Sequence, residues 1–358
     1  MTTLQQAFEH SFARGEQRGA ALSLWQDGCE LLSLCGGEQS AGGAPWTPGT
    51  LVPVFSATKA ASAACLLTAL YECAQGPELE LGALWSACPA PALRVGELLS
   101  HQAGLAATAQ PASLYDRPAC RRALEATSPA WAPPQHGYHP HTYGPLLDVL
   151  MEALTGLRVS DWWEQRVRAP LGLAFYIGHL PPEQEARVAV LEHAKLSAPL
   201  PDTPFYRAFF EPGTPVARAF RSVTGADDLR ACNSAAFHGC GCPARGGVAS
   251  ARGLAQFYQA LLGRLPGTPF PAQVLEWMQT PMCSGQDLTL LQHTAFTCGA
   301  MCEPAELFGR GGFGHAGAGG CHAFCEPGSG RSFAFVMNRM EPGVLPGERV
   351  LRLLRALE

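Results

Sequence analysis

The sequence predicts an α/β protein of the α+β kind: one antiparallel sheet drawn from both ends of the chain, flanked by helices, with a mostly helical insert between. Three observations carry this. Ala20–Trp25 and Glu30–Cys35 alternate apolar and polar residues around Gln26-Asp27-Gly28-Cys29, which reads as a hairpin. His315–Glu326 and Ser332–Asn338 read as strands around the turn Pro327-Gly328-Ser329-Gly330. Between these ends the recurring period is that of helices. The 358 residues, 47% of them hydrophobic and 15% charged, suffice for a large core. The expected division is a sheet half, residues 1–75 plus 285–358, and a helical insert, residues 76–284, within one domain.

Taken in order, residues 2–15 place Leu4, Phe8 and Phe12 at helical spacing. A Gly- and Pro-rich crossing over 36–50 leads to an apolar run, Val52–Phe55, and a helix rich in Ala and Leu. The stretch LRVGELLSHQAGL predicts a helical turn stopped at Gly104, and residues 106–136 a loop with a short helix. LLDVLMEALTG is an amphipathic helix stopped by Gly156, and residues 160–172 form another ending in Ala-Pro-Leu-Gly. Residues 180–245 hold many Pro, Gly and Ala with little periodicity, which predicts loops and short helices. Val248–Gly263 and residues 347–357 are the closing helices.

Composition excludes several roles. A net charge of −5 supplies no basic field for nucleic acid. No apolar run reaches membrane-spanning length, and the polar N-terminus shows no export signal, so a cytoplasmic protein is expected. In that setting the 14 cysteines are expected as reduced thiols. His238-Gly-Cys240-Gly-Cys242 and Cys298-x-x-x-Cys302 lack the paired spacing of a structural zinc site, so neither a metal nor another cofactor is expected.

The chemistry points to Ser56-Ala57-Thr58-Lys59. Residues three apart share a helical face, so the Lys59 amine comes within reach of the Ser56 hydroxyl. A serine needs such a neighbour to become a nucleophile. The chain has two lysines, Lys59 and Lys195, against 23 arginines. Keeping lysine here suggests a role that guanidinium cannot fill, since a desolvated lysine can give up its proton. As a bare pattern, Ser-x-x-Lys also fits an N-cap followed by a solvated charge.

With these stretches in view the chain resembles the serine β-lactamase-like hydrolases: class C β-lactamases, D,D-peptidases and family VIII carboxylesterases. The similarity runs from about residue 15 to 340. Ser56-Ala-Thr-Lys59 is similar to the group's first motif. Tyr138 stands where these proteins place a catalytic tyrosine, just before a helix containing Leu-Leu and ending Thr-Gly. His315-Ala316-Gly317 occupies the place of a Lys-Thr-Gly strand, in a form resembling esterase-like members. Leu98–Gly104 and the stretch from Asn233-Ser234 to Gly247 also read like the family. The resemblance implies a β-lactamase/transpeptidase-like fold and a small-molecule ester or amide as substrate.

It further implies an acyl-enzyme on Ser56, with Lys59 or the Tyr138 phenolate taking its proton and a shared Tyr138–Lys59 relay favoured. An adjacent cation would lower the Tyr138 pKa, and burial that of Lys59. The oxyanion hole implied is the backbone N–H groups of Ser56 and Ala318. Gly317, with Gly319 and Gly320, would let the strand approach substrate, and His315 would hydrogen-bond Tyr138 or the substrate. His139, His141 and Tyr143 are expected to orient the loop, and His101 to cap or pack.

Two departures shape the expected activity. Pro140 stands where Tyr-x-Asn has its amide, and His315 replaces the lysine of Lys-Thr-Gly. Both favour small carboxylic esters over β-lactams. The alternatives are a β-lactamase or a D-amino-acid or amide peptidase using the same residues, and a scaffold of this fold with weak activity.

Overall fold

The computed structural model describes residues 3–194, 200, 202–226, 228–344 and 346–357; Thr2 and Lys195 lie outside the described residues. Its main sheet has eight strands. From one edge to the other they are Cys29–Gly37, Gly19–Gln26, Arg331–Met337, Cys321–Glu326, Phe313–Gly317, Met301–Glu303, His293–Thr297 and Pro281–Gln286. Every pairing is antiparallel. The N-terminal hairpin joins the C-terminal strands through Gly19–Gln26 against Arg331–Met337, with Leu22 opposite Phe335.

Local chemistry sets this register. Asp27 and Gly28 both take positive φ, 47° and 81°, the two-residue turn whose twist matches paired strands. On the inner face, Leu22, Phe335 and Met337 are fully buried. Helix Ala251–Leu261 packs across Gly19–Gln26 and Arg331–Met337. Its Gln259 fastens both hairpin turns: the side-chain carbonyl accepts the Gly28 N–H at 2.8 Å, while the amide donates to the Gly330 carbonyl at 3.1 Å and Ser332 Oγ at 3.0 Å. This helix and the first four residues of the edge strand Pro281–Gln286 fall between residues 76 and 284, so the sheet layer takes elements from inside the expected insert.

Helix Thr58–Glu72 runs through the middle of the molecule, and every side chain from Thr58 to Leu70 is buried. Its alanines 60, 61, 63 and 64 are fully enclosed. Small side chains let neighbours close on all sides, which is what a helix without a solvent face needs. Among those neighbours is helix Tyr143–Thr155, ended by Gly156 at φ 73°.

Several elements differ from expectation. The stretch His315–Glu326 is two strands, because Gly319 and Gly320 at φ 84° and 113° fold the chain back at Ala318–Gly320. The helix Val95–Leu99 ends at Ser100, where His101 takes φ 65°, three residues before Gly104. Val248–Gly263 divides into a strand, Gly247–Ala249, and the helix Ala251–Leu261, started by Ser250 accepting the Gly253 N–H at 3.0 Å. Residues 160–172 carry a π-helical segment, Glu164–Arg168.

Candidate active site

Ser56 sits in a tight turn, Phe55–Ala57, directly ahead of the central helix. Three segments hold this turn. The Val54 N–H donates to the Gly247 carbonyl at 2.9 Å, and Thr58 Oγ1 accepts the Gly247 N–H at 3.0 Å while donating to the Phe55 carbonyl at 2.5 Å. From the sheet side, strand Phe313–Gly317 approaches so closely that a Cβ on Gly317 would lie 2.2 Å from the Val54 carbonyl oxygen. Gly317 is thus required by the contact with the Ser56 segment and is buried there. The cavity wall on this side is made by the next two residues, Ala318 and Gly319.

Lys59 is fully buried one turn into the helix. Its Nζ lies 2.9 Å from the Pro140 carbonyl oxygen, 2.9 Å from the Ala244 carbonyl oxygen and 3.1 Å from Ser56 Oγ. Burial pushes its pKa well below the usual lysine value; a Cys242 thiol opposes this and Arg245 reinforces it. A neutral amine has two N–H donors and one lone pair. With both carbonyls taking a donor, an amine that has lost its proton would turn that lone pair to the serine hydroxyl.

Tyr138 is buried with its ring stacked on Phe296, centroids 6.2 Å apart and planes within 7°. Lys59 Nζ lies 4.9 Å from its ring centroid. Its hydroxyl is beside Ser56 but outside regular hydrogen-bond geometry. Burial drives the phenol pKa upward, opposed by the Ser56 hydroxyl and aided by Asp287. The lowering expected from an adjacent cation does not occur, because burial is the largest influence on the phenol and outweighs it.

His315 is buried with its ring centroid 5.8 Å from that of Tyr138. Its Nδ1 lies 2.7 Å from the Ala316 carbonyl oxygen, which fixes the proton on Nδ1 and leaves Nε2 an acceptor. Nε2 has no partner among the described residues, and neither has the Tyr138 hydroxyl. Burial, with Lys59 adding to it, pulls the His315 pKa down to about 3, so the imidazole is neutral.

The other histidines order the loop. His139 Nδ1 donates to the Gly137 carbonyl at 2.8 Å and Nε2 accepts the Leu105 N–H at 3.1 Å. His101 Nδ1 accepts the His139 N–H at 3.1 Å, with its ring packed among Tyr138, Tyr143 and Phe296. The expected orienting and packing roles match these contacts.

Two residues that sequence reasoning did not single out complete the frame. Asp287 is buried, and both its oxygens accept the Tyr138 N–H, at 3.1 and 3.2 Å. It also accepts the Thr289 and Leu290 N–H groups, each at 2.7 Å, and the Thr294 hydroxyl at 3.0 Å. The only local signal was an Asp opening a turn, a pattern common to any loop. Arg245 is buried and donates to His141 Nε2 at 2.6 Å and to the Ala226 carbonyl at 3.0 Å. Nothing in its sequence neighbourhood separates it from the other arginines.

Ser56, Tyr138 and Ala318 open onto one cavity of about 950 Å³. The two cysteine clusters are elsewhere in role: burial raises the Cys240, Cys298 and Cys302 thiols, to about 12, 12 and 11. Among the described residues no helix is long and apolar enough to cross a membrane.

Known proteins match the chain along nearly its whole length. The beta-lactamase family model matches residues 4–357. Esterase/beta-lactamase LipL of Mycobacterium tuberculosis is 28% identical over 366 aligned positions, covering 93% of this chain and 80% of that protein. A penicillin-binding protein homolog from Caulobacter crescentus superposes with TM-score 0.86 at 27% identity, covering 99% of this chain and 96% of the other. A family VIII carboxylesterase superposes equally well, TM-score 0.86 at 26% identity, covering 99% and 95%. The family match and the superpositions cover nearly every residue, and the chain belongs to the beta-lactamase family of hydrolases.

Proposed function

We propose that the protein is a serine carboxylesterase working through an acyl-enzyme on Ser56. The observation that carries this is the Lys59 amine, enclosed, with its pKa pulled down by burial, and 3.1 Å from Ser56 Oγ. Ser56 gives its proton to Lys59 as Oγ attacks the ester carbonyl. The oxyanion is met by the backbone N–H groups of Ser56 and Ala318. As the intermediate collapses, the bond to the alcohol breaks and the Lys59 proton passes through the Tyr138 hydroxyl to the departing oxygen. Water then attacks the acyl-enzyme, the same pair takes its proton, and Ser56 recovers one as the acid leaves. Tyr138, held as a phenol, acts as a relay and not as a resting phenolate. His315 Nε2 accepts a hydrogen bond from Tyr138 or from the substrate. The names of the relatives support the ester reading, one being a carboxylesterase and one carrying both esterase and β-lactamase in its name.

The test is labelling with a serine-reactive fluorophosphonate alongside p-nitrophenyl ester hydrolysis. The expected result is label on Ser56 and turnover in the wild type, with both lost in folded Ser56→Ala. Removing such a nucleophile costs on the order of a million-fold in rate. Near-wild-type turnover by the folded variant would refute the assignment, and an unlabelled wild type would favour a scaffold.

A further inference from the structure

The cavity beside Ser56 is far larger than a small ester needs, and one wall is an aromatic helix with no core of its own. Helix Pro204–Phe210 places Phe205, Tyr206, Phe209 and Phe210 among seven residues, yet none of the seven is fully buried. Phe210 remains 56% exposed. In a surface helix such side chains would normally turn into the protein. These turn onto the cavity that Ser56 opens into, and all four line it.

The wall is built as a unit. Phe205 meets Phe209 at 5.7 Å between centroids and Phe220 at 5.7 Å edge-on, and Phe209 meets Phe220 at 5.5 Å. Phe220 in turn packs edge-on against His141, 6.0 Å away, the residue directly after the Pro140 carbonyl that holds Lys59. The lining also includes Leu229, Met340 and Val344. The aromatic helix and the nucleophile thus share one mostly apolar cavity.

Resting on the esterase reading above, we propose that the substrate carries a large apolar group, an alkyl chain of about six carbons or more or an aryl group, seated on this aromatic wall while its ester carbonyl meets Ser56. The occupant is the substrate itself because the wall and Ser56 share one chamber. A volume of about 950 Å³ lies at the upper end for a site enclosing a drug-sized molecule, whereas an acetyl or butyryl group would leave the aromatic rings in water. This departs from the small esters that the sequence alone suggests.

The experiment is a pair of ester series on the wild-type protein. One lengthens the acyl group from acetate to decanoate on p-nitrophenol; the other holds the acetyl group and enlarges the alcohol from ethyl to octyl and benzyl. Each buried methylene is expected to raise kcat/KM by up to about fourfold until the wall is covered. At least a tenfold rise from acetate to octanoate, or from ethyl to octyl acetate, supports the proposal, and the series that rises tells which side of the ester occupies the wall. Phe209→Ala should flatten that series and Phe209→Leu should retain it. Turnover that peaks at acetate and falls in both series overturns the proposal while leaving the esterase reading intact. No turnover on any ester, with no label on Ser56, removes the esterase reading instead.

Discussion

The Lys59 amine is held by the main-chain carbonyl of Pro140, 2.9 Å away. Pro140 stands at the place where Tyr-x-Asn would put a side-chain amide. The backbone supplies the acceptor instead, together with the Ala244 carbonyl on the other side. Two carbonyls fix the position of the buried amine, so its placement does not depend on the missing asparagine.

Replacing Lys59 by arginine should therefore be nearly as harmful as replacing it by alanine. Guanidinium keeps its proton and has no lone pair to offer Ser56, and its planar head does not fit between two carbonyls spaced for an amine. Loss of a general base typically costs about 10²–10⁴-fold. Both variants should fall in that range in kcat/KM, with folding checked by circular dichroism. An arginine variant retaining most activity would show that Lys59 serves only as a positive charge.

Asp287→Ala should separate positioning from chemistry. The carboxylate collects the N–H groups of Tyr138, Thr289 and Leu290, all buried. Losing it leaves several donors without partners, at about 1–3 kcal/mol for each group left unsatisfied. Denaturant unfolding should show a loss of at least about 2 kcal/mol. The surviving folded enzyme should lose kcat more than KM, because the backbone carrying Tyr138 is no longer pinned. An unchanged kcat in a destabilised variant would confine Asp287 to stability.

Much of this site is readable from residue order because its motifs are local. Ser56 and Lys59 share a helical face, and the Asp27-Gly28 turn announces its hairpin. The strands Pro281–Gln286, His293–Thr297 and Met301–Glu303 were not readable, since Met-Cys-Ser-Gly and Met-Cys-Glu carry no run of β-branched residues or regular alternation. Asp287 and Arg245 acquire their roles from partners far along the chain, Asp287 from Tyr138 and Arg245 from His141. The aromatic wall was written in plain sight, but whether its four rings face a core or a cavity is decided only by tertiary packing.

Acid should destabilise the fold below the ordinary histidine range. His101, His139, His315 and His322 are buried and neutral, with burial pulling His139 and His315 down to about 3, His322 to about 4 and His101 well below its usual value. The unfolded chain takes up protons at these sites below about pH 6.5, whereas the folded chain does not until the lower values are reached. Unfolding thus binds protons in this window, and stability rises with pH through it. Each histidine contributes a slope of up to about 1.4 kcal/mol per pH unit. Denaturant midpoints should be level above about pH 7 and fall steeply toward pH 4.5. His322→Gln, which does not line the cavity that Ser56 opens into, should make that fall shallower if it folds, and a midpoint flat down to pH 4.5 would contradict the neutral assignment.

Ester hydrolysis should exceed cephalosporin hydrolysis by a wide margin in kcat/KM. A β-lactam presents a carboxylate that a Lys-Thr-Gly lysine would meet with a fixed positive charge. Here His315 stands in that place, and with its pKa near 3 and Nδ1 committed to the Ala316 carbonyl it presents a lone pair at Nε2. That lone pair repels a carboxylate where the lysine would attract it. Pro140 adds no side-chain amide to orient the β-lactam side chain, since its carbonyl is occupied by Lys59. Losing one charge-assisted hydrogen bond costs roughly 1.5–3 kcal/mol, or about one to two decades in rate. An uncharged ester loses neither contact. The margin should therefore be at least about tenfold for the better p-nitrophenyl ester over a chromogenic cephalosporin, and His315→Lys should narrow it if the added cation meets the carboxylate. Equal turnover of the two by the wild type would transfer the assignment to a β-lactamase using the same Ser56 and Lys59.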